Sequence, residues 1–350
     1  MQFLLNTTKR NKRISSIDVE MGFNKRDIEK ICAEKGPLKA IPFIERIEPQ
    51  TPEHYAICFC MLIEKAVNKE CNDKINSIRT IFLELERILC HITHLGRLFY
   101  FSGNRILHNT ASSIKESMID LKEEITGHRL YSSIHSFYEL NLHLSSGNLK
   151  QAEKVCIDVE NELKEIRSIF ADNKAVGSIY NGLAQICRPD TYPELSGPAS
   201  WIYRPDNDRR FNGYLGYAKS EIKEILKNKY VSEKNTAANR IDSVISDLKN
   251  SIQIIKILTN MDGLTHKADS FLVDDIRIPA GNYEQKIETP MGHLDMAVTI
   301  GDSNDLKKIK ISSPSDKNIK ISYKAMKGVL ADYTQPAWES LYISPMEIDK

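Results

Sequence analysis

The stretch INSIRTIFLELERILCHITHLGRLFYF, residues 75–101, decides how this chain folds. Ile78, Ile81, Phe82, Leu85, Ile88, Leu89, Ile92 and Leu95 recur at helical spacing and go most of the way around the axis, the mark of a helix with no wet face. Threaded through them are Glu84, Arg87, His91 and His94, three, four and three residues apart, hence one stripe, with Arg79 a turn or so ahead of Glu84. An unpaired buried charge is costly, so the spacing predicts that Glu84 and Arg87, with Arg79 nearby, join a buried network with neighbouring helices. Such a network either fixes helix register or lines a proton path or cofactor pocket; spacing alone favours register. Two imidazoles without nearby acidic or thiol partners make a poor metal site.

Working outward, helical patterns are expected over about 53–67, 73–101, 111–145, 148–171 and 236–260. The 148–171 pattern is the cleanest, with Ala152, Cys156, Val159, Leu163, Ile166 and Phe170 on one face. Lys115, Glu116, Glu123 and Arg129 form a second charged set, readable as a solvated face or, with Gly127 beside Arg129, as a close helix approach. Residues 172–235 are rich in loops and prolines. KIETPMGHLDMAVTI and LKKIKIS are strand-like, with GDSND between them as a hairpin turn. A short helix is expected near 321–331, and residues 1–22 as a ragged strand or arm followed by a short helix stopped by Gly36–Pro37. The expected fold is mainly α (α+β class), an antiparallel bundle of long helices with a small β element near the C-terminus. Residues 1–36 form an N-terminal arm and short helix, and 37–350 a single domain with its helical core over about 53–260.

The 350 residues carry 48 basic and 47 acidic side chains, a formal charge of +1, so no global field recruits nucleic acid. No signal peptide pattern is read, and the longest apolar run, AICFCMLI at 56–63, is too short to cross a bilayer. The seven cysteines contain no C-x-x-C pair, as expected of core thiols in a reducing compartment. Cys58 and Cys60 lie about 200° apart around a helix and do not converge on a metal.

The 53–67 helix is preceded by PFIERIEPQTP, a loop broken by Pro49 and Pro52 that offers Glu48, Gln50 and Thr51. ERI at 45–47, LIEK at 62–65, IRTIFLELERILCHI at 78–92, Lys115–Glu116 and ITGHRL at 125–130 fall in an order that resembles a known family. Further matches are GFNKRDIEK at 22–30, LSGP at 195–198 followed by Asp208, Arg210, Tyr214 and Tyr217, LKNSIQII at 248–255, and MEIDK at the end. Together they look like the large quinone-facing subunit of respiratory complex I (the 49-kDa, or D, subunit of NADH-quinone oxidoreductase), homologous to the large subunit of membrane-bound nickel–iron hydrogenases. No single motif is decisive; their order and spacing over nearly the whole chain are.

The resemblance implies a hydrogenase-large-subunit-like fold in a membrane-associated electron-transfer complex. The partners it implies are a small iron–sulfur B-like subunit that carries the cluster, a C-like protein and a membrane H-like protein. It places the chain at the inner face of the cell membrane through that complex, without a transmembrane segment of its own. It implies that Arg79, Glu84, Arg87, His91, Glu116, Arg129, Asp208 and Arg210 hold the core around an ancestral cavity. That cavity would be lined by Glu48, Pro49, Thr51, His54, Tyr55, Phe101, Met346 and Asp349. Glu29 matches a glutamate that passes protons in the hydrogenases; a cap or ion pair is the other reading. The departures point away from the family's chemistry. Where hydrogenases place four nickel-binding cysteines stand Glu48, Thr51, Met346 and Asp349, and nickel needs soft thiolates. The quinone-binding tyrosine position is Pro49, no histidine precedes His54, and the aspartate that pairs with the family's hairpin histidine falls at Phe101. The expectation is therefore no metal on this chain and a quinone only if His54 and Tyr55 substitute. The alternative is a non-catalytic scaffold whose cavity Pro49 and Phe101 fill.

Overall fold

The structure, a computed structural model, describes residues 4–69, 71–172, 174–187, 192–268 and 276–350. It is 55% helical and 13% strand, with a small antiparallel sheet toward the C-terminal end. The long buried stretch becomes α4, Asp73–Phe101, after the short helices α1 (Ile28–Lys35) and α2 (Pro37–Ile44) and after α3 (Pro52–Val67). Asn72 starts α4 by accepting the Ile75 N–H at 2.8 Å. Alongside it lie α5 (Arg105–Thr126), α6 (Ser146–Asp172) and, after the short α7 (Lys174–Tyr180), α8 (Pro198–Trp201) and α9 (Ser220–Leu226), the long α10 (Ala237–Thr259). The four long helices pack in a ring, α4 on α5 and α10 and α6 on both of those, around a core of Ile, Leu and Val side chains. A capping box of Thr236 and Asn239 sets the start of α10.

A second core lies beside the bundle, where α1, α2 and α3 cover a three-stranded antiparallel sheet. Its strands are β3 (Gly281–Thr289), β4 (Gly292–Ile300) and β5 (Leu306–Ser312), in that spatial order, preceded in the chain by a hairpin of β1 (Leu4–Arg10) and β2 (Arg13–Glu20). The chain closes with α11 (Pro314–Ala325), α12 (Thr334–Glu339) and α13 (Pro345–Ile348).

Several boundaries differ from the sequence expectation, each for a local reason. The pattern read as one helix over 111–145 starts earlier, at Arg105 behind an Asn104 cap, and stops at Thr126. There Gly127 takes a left-handed φ of 76° and returns its N–H to Glu123. KIETPMGHLDMAVTI is two strands that turn at Pro290–Met291, and GDSND joins β4 to β5. The short helix near 321–331 is α11, set earlier by a capping box of Ser313 and Asp316. The start of the 42–52 loop is the end of α2, and the ragged arm is the β1–β2 hairpin, antiparallel over its length. Gly197 of the LSGP segment holds a φ of 70° and packs its Cα face on the Met291 carbonyl, leaving no room for a side chain against the β3–β4 turn.

Candidate functional site

The charged stripe of α4 sits at the junction of the two cores. Glu84 and Arg87 are fully buried, as are Asp208 and Arg210 on the loop before α9, and Asp247 on α10. The Arg210 guanidinium is the hub. It donates to Asp208 at 2.7 Å, to Asp247, and to Glu84 at 3.3 Å. Arg87 approaches Glu84 at 3.4 Å and Asp247 at 3.5 Å, and donates to the Glu288 backbone carbonyl at 2.9 Å. Lys229 Nζ bonds Asp208 at 2.7 Å and Asp247 at 2.9 Å, and lies 4.4 Å from the centre of the Trp201 ring. Arg87, Arg210 and Lys229 thus face Glu84, Asp208 and Asp247, three cations to three carboxylates. Burial pushes the two aspartates up, but the cations offset it and hold both well below the usual carboxylate range. The Tyr217 hydroxyl also bonds Glu84, and His91 bridges Asp247 and Tyr342 at 3.2 Å each. Glu288 stands apart: burial and the nearby Asp208 charge raise its carboxyl to about 8. A balanced, bonded cluster of this kind locks α4, α10 and the 208–217 loop in register.

The loop before α3 meets the C-terminal tail nearby. Arg26 clamps them, donating to the carbonyls of Arg46 at 2.7 Å, Ile47 at 2.8 Å, Met346 at 2.6 Å and Asp349 at 3.2 Å. Tyr55 donates to Glu347 at 2.8 Å, and Ser315 donates to the other oxygen through its hydroxyl at 2.5 Å and its N–H at 2.9 Å. Burial and the Glu48 charge raise the Glu347 carboxyl to about 7, and burial raises Glu48 as well. Glu48 accepts the Gln50 N–H at 3.1 Å, and its carboxyl and the Thr51 side chain are fully buried.

This loop does not fit a nickel centre. Met346 and Thr51 bring no thiolate, and the two Asp349 carboxylate oxygens already accept the N–H groups of Gly22 and Asn24. Among the described residues, no group of three or more His, Cys, Asp or Glu is placed to hold a metal ion. His54 Nδ1 lies 2.6 Å from Glu86, and the Tyr55 hydroxyl is bonded to Glu347. The four clefts and cavities described lie elsewhere, lined by none of Glu48, Pro49, Thr51, His54, Tyr55, Phe101, Met346 or Asp349.

Several sequence assignments change position. Phe101 is 39% exposed at the end of α4, edge-on to Tyr100, because the helix runs out of the bundle there; it fills no cavity. Arg129 and Glu116 lie outside the buried network. Once α5 stops at Gly127, Arg129 folds back over its surface and pairs with Glu116, Asp120 and Glu123 in solvent. Glu29 accepts the Ile311 N–H at 2.8 Å, tying α1 to β5. Pro49 is half-buried. Arg79 is buried, but away from the hub, in a two-pronged pair with Glu64 at 2.8 and 2.9 Å.

Sequence reading missed a further cluster beneath the same loop. Glu53 bonds Ser132 at 2.6 Å and lies 3.0 Å from Lys122 and 2.6 Å from His135. Glu86 accepts the N–H groups of Glu53 and His54 at 2.9 and 3.0 Å, which caps the start of α3. Burial raises Glu53, yet Lys122 and His135 outweigh it and hold it low; burial and the Glu53 charge push Glu86 well up. Asp247 was legible, since Arg240, Asp247 and Ser251 interrupt the apolar face of α10 as Glu84 and Arg87 do that of α4. Arg26 stands inside the matched GFNKRDIEK segment. Lys229 carried no such signal.

Comparison with known proteins agrees with the sequence motifs. No protein-family model matches the chain. The D subunit of NADH-quinone oxidoreductase from Geobacter metallireducens is 23% identical over 342 residues, covering 91% of this chain and 87% of that protein. The D subunit of F(420)H(2) dehydrogenase from Methanosarcina mazei is 24% identical over 331 residues, covering 89% and 84%. The C/D subunit of NADH-quinone oxidoreductase from Phocaeicola vulgatus is 23% identical over 291 residues; there the chain spans 52% of the longer protein. The chain is a divergent relative of the complex I 49-kDa, or D-subunit, family.

Proposed function

We propose that this chain is a D-type subunit of a membrane-associated, complex I-like or hydrogenase-related electron-transfer complex, inactive by itself. It packs against a small iron–sulfur B-like subunit that carries the cluster, beside a C-like protein, and borders a membrane H-like protein on the inner face of the membrane. No helix among the described residues is long and apolar enough to cross a membrane, so membrane association runs through these partners. The observation that carries this reading is the hub itself. Glu84, Arg87, Asp208 and Arg210, each matched to the family motif by order and spacing, come from distant parts of the chain into one buried cluster. Purification from native membranes, with identification of co-purifying subunits and iron, tests it. Co-isolation with an iron–sulfur subunit is expected; a soluble monomer without partners overturns it.

A second reading is favoured by the loop at 46–55, where Tyr55, His54 and Asp349 are already bonded within the protein. In that reading the chain is a scaffold or assembly paralogue whose cavity is filled, and it binds neither metal nor quinone. A quinone-analogue photolabel separates the two: marking of residues 46–55 supports a quinone-type cavity, and its absence supports the scaffold.

A further inference from the structure

The β1–β2 hairpin and the end of α11 enclose one side of a cleft of about 640 Å³, remote in sequence from the 46–55 loop. Backbone bonds fix this wall. Ile14 donates to the Val329 carbonyl, Gly328 to the Ile14 carbonyl and Ala331 to the Lys12 carbonyl, at 2.8 to 2.9 Å, and Arg13 bridges Leu330. Arg13, Lys324 and Lys327 line the cleft, with Tyr192 and Tyr333, and no carboxylate is among the described lining residues. Lys9, Arg10 and Lys12 extend the same charge along the exposed hairpin turn. Among the described residues none of these six cations has a carboxylate partner within ion-pair distance. Arg13 spends one donor on the Gly328 carbonyl, and Lys324 lies 5.1 Å from the centre of the Tyr192 ring.

The chain as a whole is nearly neutral, so the positive charge of this wall is local rather than global. Concentrating cations that have no carboxylate partner among the described residues on one concave wall focuses a positive field where a ligand would sit. The size is that of a small-molecule site rather than a flat contact. A guanidinium and two ammonium groups suit the tetrahedral, multiply charged phosphate better than a single carboxylate. Tyr192, Tyr333, Ile321 and Val329 give the remainder of the ligand an apolar and aromatic floor.

We infer that this cleft binds a phosphate monoester or diester, its phosphate held by Arg13, Lys324 and Lys327 and its less polar part laid against the two tyrosines. The assignment is independent of the D-subunit reading and stands or falls without it. The source of the phosphate is a soluble ester or the headgroup of an anionic phospholipid. Isothermal titration of the full chain with inorganic phosphate and with a nucleoside monophosphate reports the first. Co-flotation with phosphatidylglycerol vesicles, against phosphatidylcholine vesicles, reports the second. Binding is expected in at least one arm, weakening as salt rises and falling by about tenfold or more in Lys324→Glu/Lys327→Glu. The control Lys308→Glu/Lys310→Glu, exposed on β5 and outside the cleft, is expected to bind as the parent does. Circular dichroism of both variants reports whether the fold is kept. No binding in any arm overturns the inference, as does binding that the control weakens as much as the cleft variant.

Discussion

Tyr55, in the first turns of α3, donates its hydroxyl to Glu347, near the end of the chain, at 2.8 Å. That bond joins the start of α3 to the tail. The acceptor carboxyl also carries a pH dependence. The folded Glu347 carboxyl titrates near 7, raised by burial and by Glu48 from an ordinary value of 4.5. The folded state therefore holds its proton more tightly than the unfolded chain does. The associated stability is fully present below about pH 4.5 and is lost as pH rises through about 7. Urea melts between pH 4.5 and 8 are expected to lose stability across this window, by roughly 3 kcal/mol at most for this group. Glu347→Gln should flatten the profile; an unchanged slope in that variant counts against the assignment.

The hub predicts a contrast between two arginines. Arg210→Met leaves Asp208, Asp247 and Glu84 buried with two of three cations, and the cost expected is about 3–5 kcal/mol. Arg129→Ala removes as many ion pairs, three, but in solvent, and its urea midpoint is expected to match the parent within error. Equal losses in the two variants would mean that the hub is not the structural keystone described above.

What the sequence revealed and what it hid follow from the same rule. Glu84, Arg87 and Arg79 were readable as buried because apolar residues surround them on all sides within one helix. Which residues they pair with was not, because Glu64, Asp208 and Asp247 arrive from other elements, and spacing within one segment says nothing about which segments meet. Arg129 was ambiguous because its position depends on where α5 ends, and Gly127 was weighed as a close-packing residue rather than a left-handed stop. The family resemblance puts Phe101 at an inherited cavity, but the end of α4 carries it into solvent. The Glu53–Glu86 cluster escaped notice because Glu53 stands in a first helical turn, where an acidic residue is ordinary.

Thiol labelling tests the burial of the cysteines. Cys58, Cys60 and Cys90 are fully buried, and burial pushes each thiol well above its ordinary range, which suppresses the reactive thiolate. Cys187 is exposed and Cys71 half-buried. A disulfide-exchange reagent at neutral pH is expected to label Cys187 first and Cys71 slowly, with the other five reacting only on unfolding. Mass spectrometry of the labelled peptides checks the order, and early labelling of Cys58 or Cys60 would refute the packing of α3.

The Glu53–Lys122 pair governs the acid limb. Burial alone would raise Glu53, but Lys122 at 3.0 Å and His135 at 2.6 Å hold its carboxyl below the ordinary 4.5. A depressed carboxylate contributes stability above its unfolded value and loses it as pH falls through the folded one, so this pair strengthens the protein at neutral pH and fails in acid. Lys122→Met removes the cation while keeping the stem against Phe82, Leu85 and Met118, residues that line the same small cavity. Without Lys122, Glu53 is left with Ser132 and His135 and its carboxyl moves up. The variant is expected to lose about 2–4 kcal/mol at pH 7 and to show a shallower stability loss below pH 4.5 than the parent. Parallel curves for the two proteins below pH 4.5 would show that Lys122 does not set the Glu53 titration.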